Sequence, residues 1–272
     1  MTLPRYVVLN KVVGETPLEC AEHWRTRENI PADIPLAYAG RLDPMASGKL
    51  LVLVGDECKR QNEYHHLDKG YNFSVLLDVG SDTGDVLGIV TGQSPQSYKG
   101  KDFQVIARTL TGSIALPYPH YSARTVDGKP LHTWAVEGKI NTITIPVKHS
   151  RVYNLRVTGY TTLSRQELVE AARAKIDSLP PVIDPRKALG NDFRRPLVHA
   201  AWDTIAESGA PTDNFTIVHF HCIASSGTYM RSLAEEIGKR AGTRGLAFSI
   251  HRTQMGHFVP VWGGKGFWRT TY

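Results

Sequence analysis

The 272-residue sequence predicts an α+β domain built on a mixed sheet. Strand-like segments are punctuated by isolated helices, without the regular alternation that builds a parallel βαβ sheet. Hydrophobic residues make up 41% of the chain and charged residues 21%, the composition of a domain with a substantial core. No run approaches the roughly 18 apolar residues of a membrane span. The longest, Leu50–Val54, suits a buried strand.

The first strand is predicted over Tyr6–Val12. A helix follows, with Thr16 as N-cap, Pro17 in the first helical position and Glu19 closing a capping box. Leu50–Val54 and Tyr71–Val79 read as strands, with Gly80–Gly84 as a polar connection. Phe103, Ile106, Ala107 and Leu110 repeat at helical spacing, so Asp102–Leu110 is a short amphipathic helix. Ile143–Val147 and Arg151–Gly159 are β-rich. Ser164 and Glu167 form a second capping box, and Leu168, Ala172, Ile176 and Leu179 continue one helical face until Pro180-Pro181 stops it. The next thirty or so residues, rich in Pro, Asp and Arg, read as a surface excursion between strands rather than new core. Phe215–Ile223 is a strand. The last helix, Thr228–Ala241, buries Met230, Leu233, Ala234 and Ile237 and ends at Gly242.

Charge is unevenly placed. The net charge is +6, and residues 237–272 hold all of it: Lys239, Arg240, Arg244, Arg252, Lys265 and Arg269, with no acidic residue. The interleaved Phe248, Phe258, Trp262, Phe267 and Trp268 add stacking faces, so this end suits a polyanion. Cys20, Cys58 and Cys222 are odd in number and far apart, which argues against a disulfide framework or zinc ribbon and fits a reducing cytosol. The amino terminus has no apolar signal region, so a cytoplasmic protein is expected. His219 and His221 share a strand face, but nothing at ligand spacing completes a metal set; no metal is expected. The glycines of Gly80–Gly88 match neither phosphate-loop spacing, and Ser225-Ser226-Gly227 is no nucleophile elbow.

The segment Tyr38-Ala39-Gly40-Arg41-Leu42-Asp43-Pro44-Met45-Ala46-Ser47-Gly48 places a lone carboxylate on a glycine-flanked loop before a buried strand. It resembles the catalytic motif of the TruB family of pseudouridine synthases, G-H-x-G-x-L-D-P-x-A-x-G. Further blocks fall in family order. Lys69-Gly70-Tyr71 resembles K-x-Y, and Gly80–Gly88 resembles G-x-x-T-x-T-x-D-x-x-G. Pro119–Leu131 resembles P-x-Y-S-A-x-K-x-x-G-K-x-L-Y, and Ser226–Leu233 resembles K-G-T-Y-I-R-x-L. Tyr38 and Ala39 depart from the family's His and Thr or Ser. Gly40-Arg41-Leu42-Asp43 is also similar to the H-R-L-D of the RluA family; the Gly227–Arg231 block decides for TruB. The resemblance covers residues 5–160 and 213–258, leaving an insertion at 160–212 of mixed charge, to which no phosphate role is assigned. Residues 1–259 are read as a catalytic domain and 260–272 as a basic aromatic tail, with no room for the C-terminal PUA domain of many relatives.

The resemblance implies the pseudouridine synthase fold, a central mixed, mostly antiparallel sheet flanked by helices. It implies isomerisation of the T-loop uridine of tRNA, position 55, after base flipping. The tRNA T-arm is the implied partner, with no membrane, no obligate protein partner and no cofactor, because the reaction changes neither redox state nor composition. Asp43 is the implied catalytic carboxylate, Arg231 its cationic partner, and Tyr71 the stacking face for the flipped base. Tyr38, Tyr229 and Ile250 match substrate-pocket positions. Arg41, Arg244, Arg252 and Lys265 are expected to contact the RNA backbone, with residues 237–272 beside the active site. Another RNA target remains open within this class. A different class, an RNA-binding or tRNA-folding module without catalysis, fits the charge but gives no use for Asp43.

Overall fold

The computed structural model describes residues 3–92, 94–98, 101–182, 192–261 and 265–272. The first strand, β1 (Tyr6–Lys11), leads into α1 (Pro17–Arg27). Thr16 caps this helix as its sequence pattern predicts: the hydroxyl accepts from the Glu19 amide at 3.2 Å, and the Glu19 carboxylate accepts from the Thr16 amide at 2.7 Å. Next come β2 (Leu36–Ala39), β3 (Ala46–Val54), α2 (Gln61–Tyr64) and β4 (Asp68–Leu77). The glycine-bearing stretch beyond is a small hairpin, β5 (Val79–Ser81) with β6 (Val90–Gly92). After α3 (Phe103–Thr109) and β7 (Gly112–Pro117), a two-residue ribbon, β8 (Thr125–Val126) with β9 (Lys129–Pro130), carries α4 (Leu131–Val136). Of the two β-rich stretches expected around residue 150, Arg151–Gly159 lies within an 18-residue strand, β10 (Val147–Ser164), whereas Ile143–Pro146 of the other lie before it and only Val147 joins it. The second capping box opens α5 (Arg165–Asp177).

The segment after Pro180-Pro181 corrects an expectation. Residues 183–191 lie outside the described residues, but α6 (Arg195–Glu207) is no surface excursion. Val198, Trp202 and Ile205 recur at helical spacing and enter the main core, where Trp202 is fully buried. Its indole Nε1 donates to the Val86 carbonyl at 3.2 Å, so an interior polar group is satisfied. The flanking Pro and Arg residues obscure this stripe in the sequence.

β11 (Asn214–Ala224), α7 (Met230–Arg240), β12 (Gly245–Pro260) and β13 (Gly266–Thr271) complete the chain. Among the described residues the main sheet runs β1-β3-β12-β4-β11-β10-β7, with β2 on β3 and β13 on β12. Only β3 and β12 pair in parallel; the remaining pairs are antiparallel, the mixed sheet that was expected. Helix α7 buries Met230, Leu233, Ala234 and Ile237 against the sheet as the stripe predicts, each large apolar side chain contributing roughly 1.5–3 kcal/mol. Within residues 260–272, Gly266–Thr271 form β13 on β12, and Trp268 packs edge-on against Phe258 at 5.3 Å. Trp262 lies outside the described residues. His219 is tied to Ser74 at 3.0 Å and Thr161 at 2.7 Å, so it serves as a polar strand position. No helix among the described residues is long and apolar enough to cross a membrane.

Candidate active site

The parallel pairing of β3 with β12 brings the segment before β3 against the middle of the sheet. Gly48 makes this approach possible: its φ is +106°, and a Cβ there would stand 2.2 Å from the Arg252 carbonyl oxygen. Upstream, Leu42 and Met45 are buried, pinning the loop on both sides of Asp43. The Asp43 carbonyl accepts from the Ala46 amide at 2.9 Å, closing a tight turn. The carboxylate therefore projects outward, with its side chain 39% exposed.

Arg231, the second residue of α7, meets it. Its Nε lies 2.8 Å from Asp43 Oδ2 and 3.7 Å from Asp85 Oδ2. Nη1 donates to the Thr83 carbonyl at 2.7 Å and Nη2 to the Tyr121 carbonyl at 3.2 Å. The buried Nε has no aligned hydrogen bond of its own among the described residues, so its tie to Asp43 is an ion-pair contact. Burial opposes the guanidinium charge, but the two carboxylates prevail and hold its pKa above the ordinary value. Burial pushes Asp85 up to about 6, against the pull of Arg231; Asp43 adds repulsion. Thr83 Oγ1 and the Leu87 amide donate to Asp85 Oδ1 at 2.8 and 3.0 Å.

A cavity of about 150 Å³ opens at this pair. Asp43, Asp85, Tyr121 and Arg231 line it, together with Leu179 beyond α5 and Arg194 before α6. An ionised carboxylate in a partly enclosed space beside a fixed cation can attack or deprotonate a bound sugar.

The other predicted residues divide. Tyr71, on β4, is buried enough that its phenol pKa is raised, and it responds to the charges of Arg252, Cys222 and Asp43. Tyr229 caps α7 beside Arg231, with its ring 5.5 Å from Tyr118. Ile250 is buried and pairs across strands with Phe73 and Ala46. Tyr71, Tyr229, Ile250 and Tyr38 are all outside the lining of this cavity, and the Tyr38 ring packs against the cluster of Leu9, Trp24 and Ile30, because alternation in β2 points it with Leu36.

The backbone-contact set needs correction. Arg252 is 1% exposed and cannot reach a phosphate. Its Nε donates to the Lys49 carbonyl at 2.6 Å, and Nη2 to the Gly40 carbonyl at 3.1 Å, so it braces the Asp43 loop from within. Arg41, Arg244 and Lys265 are exposed. Arg244 precedes β12 and Lys265 follows it, so a 16-residue strand of roughly 50 Å separates them. Arg244 and Lys265 thus do not share one patch beside the site. Asp85 lies inside the Gly80–Gly88 block, and that position is the signal the sequence holds for it. Arg194 has none.

A model of the TruB family pseudouridylate synthase, N-terminal domain, matches residues 35–175. The tRNA pseudouridine synthase 4 of Saccharomyces cerevisiae is 25% identical over 233 residues, covering 76% of this chain and 57% of that protein. The tRNA pseudouridine synthase B of Bordetella avium is 25% identical over 256 residues, covering 93% and 81%. In fold, the chain is similar to a chain of a Cbf5-Nop10-Gar1 complex, with TM-score 0.52 and 17% identity, over 92% of this chain and 48% of the other. With the family model spanning more than half of its residues, and the motif aspartate paired to the motif arginine, this chain belongs to the TruB family of pseudouridylate synthases.

Proposed function

We propose that this protein isomerises uridine to pseudouridine in tRNA, at the T-loop uridine, in the cytoplasm. The observation that carries the reading is the Asp43–Arg231 ion pair at the mouth of a cavity, in a chain of this family. In the reaction the C1′–N1 bond breaks, the uracil turns, C1′–C5 forms, and the C5 proton leaves as N1 regains one. Substrate and product are isomers, so no atom or electron is left over. Asp43 either attacks C1′ or takes the C2′ proton; in both cases it must be an exposed carboxylate of fixed orientation, and Arg231 supplies the orientation. The target base must leave its stack to reach Asp43, which calls for an aromatic face, the role proposed for Tyr71. Tyr229 and Ile250 are proposed to bound the base, and Arg41 to hold a neighbouring phosphate.

The test is pseudouridine mapping in a tRNA transcript, and in its isolated T-arm hairpin, after incubation with the protein. Modification confined to the T-loop uridine in both RNAs is expected. Tight binding with no pseudouridine would convert the reading to an RNA-binding module, and modification elsewhere would reassign the target.

A further inference from the structure

Two arginines hold the same two pieces of backbone. Arg231 binds the carbonyls of Thr83 and Tyr121. Arg194 binds the side chains next to them: Nη1 donates to Asp82 Oδ2 at 2.5 Å, Nη2 to Asp82 Oδ1 at 3.3 Å, and its Cζ lies 4.4 Å from the centre of the Tyr121 ring. We propose that Arg194 is a positioning residue for the Asp43–Arg231 pair, acting through Asp82 and Tyr121. The proposal rests on the functional reading above and adds to it a contribution from the turn that leads into α6.

The geometry makes the dependence specific. With Nη1 on the Thr83 carbonyl and Nη2 on the Tyr121 carbonyl, these two pieces of backbone hold the plane in which the Arg231 guanidinium meets Asp43. Thr83 follows Asp82 directly, and the Tyr121 carbonyl belongs to the residue whose ring Arg194 covers. A shift of either piece turns Arg231 against Asp43. Arg194 is itself well fixed, with a side chain only 15% exposed. Its neighbour Arg195 donates to Asp192 at 2.6 Å and to the Ile176 and Leu179 carbonyls at 2.6 and 3.0 Å, anchoring the turn to the end of α5. Arg194 also holds φ at +61°, a left-handed conformation that a residue with a Cβ keeps only where its surroundings impose it. A bidentate ion pair that also stacks uses the planar fork of arginine, which lysine lacks.

The experiment uses the full chain with Arg194→Ala, Arg194→Lys, Asp82→Asn and the double variant Arg194→Ala/Asp82→Asn. Single-turnover pseudouridine formation is measured at saturating tRNA transcript, together with the binding constant at several salt concentrations. In addition, the Nε–H signal of Arg231, identified by its loss in Arg231→Lys, is followed by NMR without RNA. Arg194→Ala is expected to slow the saturated rate by about tenfold or more, with binding changed by less than about threefold. Arg194→Lys should recover part of the rate, the double variant should be no slower than Arg194→Ala, and the Arg231 signal should move in Arg194→Ala. An unchanged saturated rate overturns the proposal in either of two ways. With only a lower melting temperature, Arg194 merely fastens the insertion; with weaker binding and a smaller salt slope, it is a phosphate ligand. An unmoved Arg231 signal also overturns it. A wild type that makes no pseudouridine defeats the functional reading instead, while the Arg231 signal still decides the positioning contact.

Discussion

Arg252 stands directly opposite Tyr71 in the register of β12 and β4. Burial raises the phenol pKa, and the charge of Arg252 works against that rise; burial in turn lowers the arginine, which Tyr71 supports. Arg252 also donates to the Lys49 and Gly40 carbonyls, so one buried cation joins the loop of Asp43 to the strand of Tyr71. The site is thereby held from two sides, by Arg231 at the cavity and by Arg252 beneath the loop.

Asp43→Asn should abolish isomerisation while leaving RNA affinity within a few-fold. The amide is nearly isosteric but can neither attack nor take a proton. Mapping after prolonged incubation checks this; more than a few per cent of residual activity would remove Asp43 from its role.

Arg231→Met should destabilise the fold by about 3–5 kcal/mol near neutral pH, because Asp85 is left buried without its cation. Asp85 already sits high, at about 6 against an ordinary 3.8. A raised carboxylate favours the fold below its unfolded pKa, and that contribution is lost as pH rises through the folded value. The deficit of the variant should therefore be smaller at pH 5 than at pH 8, and adding Asp85→Asn should relieve much of it. Urea titrations at both pH values decide; a deficit independent of pH argues that Asp85 is neutral throughout.

Arg252→Ala and Arg41→Ala should fail differently. The first removes several buried donors and should lower the melting temperature with the salt slope of tRNA binding unchanged. The second should leave the melting temperature alone and reduce the slope by about one unit, as one phosphate contact is lost. Reversal of the two patterns would mean that Arg252 swings outward to the RNA.

Tyr71→Phe keeps an aromatic face and Tyr71→Leu does not, so the Leu variant should be clearly slower at saturating RNA. Equal rates would end the assignment of Tyr71 as the base platform.

Features written over three or four neighbouring residues were legible in the sequence. Both capping boxes, the stripe of α7 and the tight loop around Asp43 follow from local geometry, and motif order was enough to indicate the family. The pairing of Asp43 with Arg231 came from resemblance; the structure adds Asp85 as the second carboxylate on that cation. Tertiary structure alone decided what depends on residues far apart in the chain. Arg252 looks like any basic residue of a positive segment until β3, β4 and β12 close around it. Trp202 reads as part of a polar excursion until Val86 and the sheet bury it. Arg194 meets Asp82 across 112 positions of sequence. Local propensity specifies elements because it acts within a turn of helix or a strand pair. The burial and partner of a charge are set by whichever distant segments pack against it, and no short window of sequence contains them.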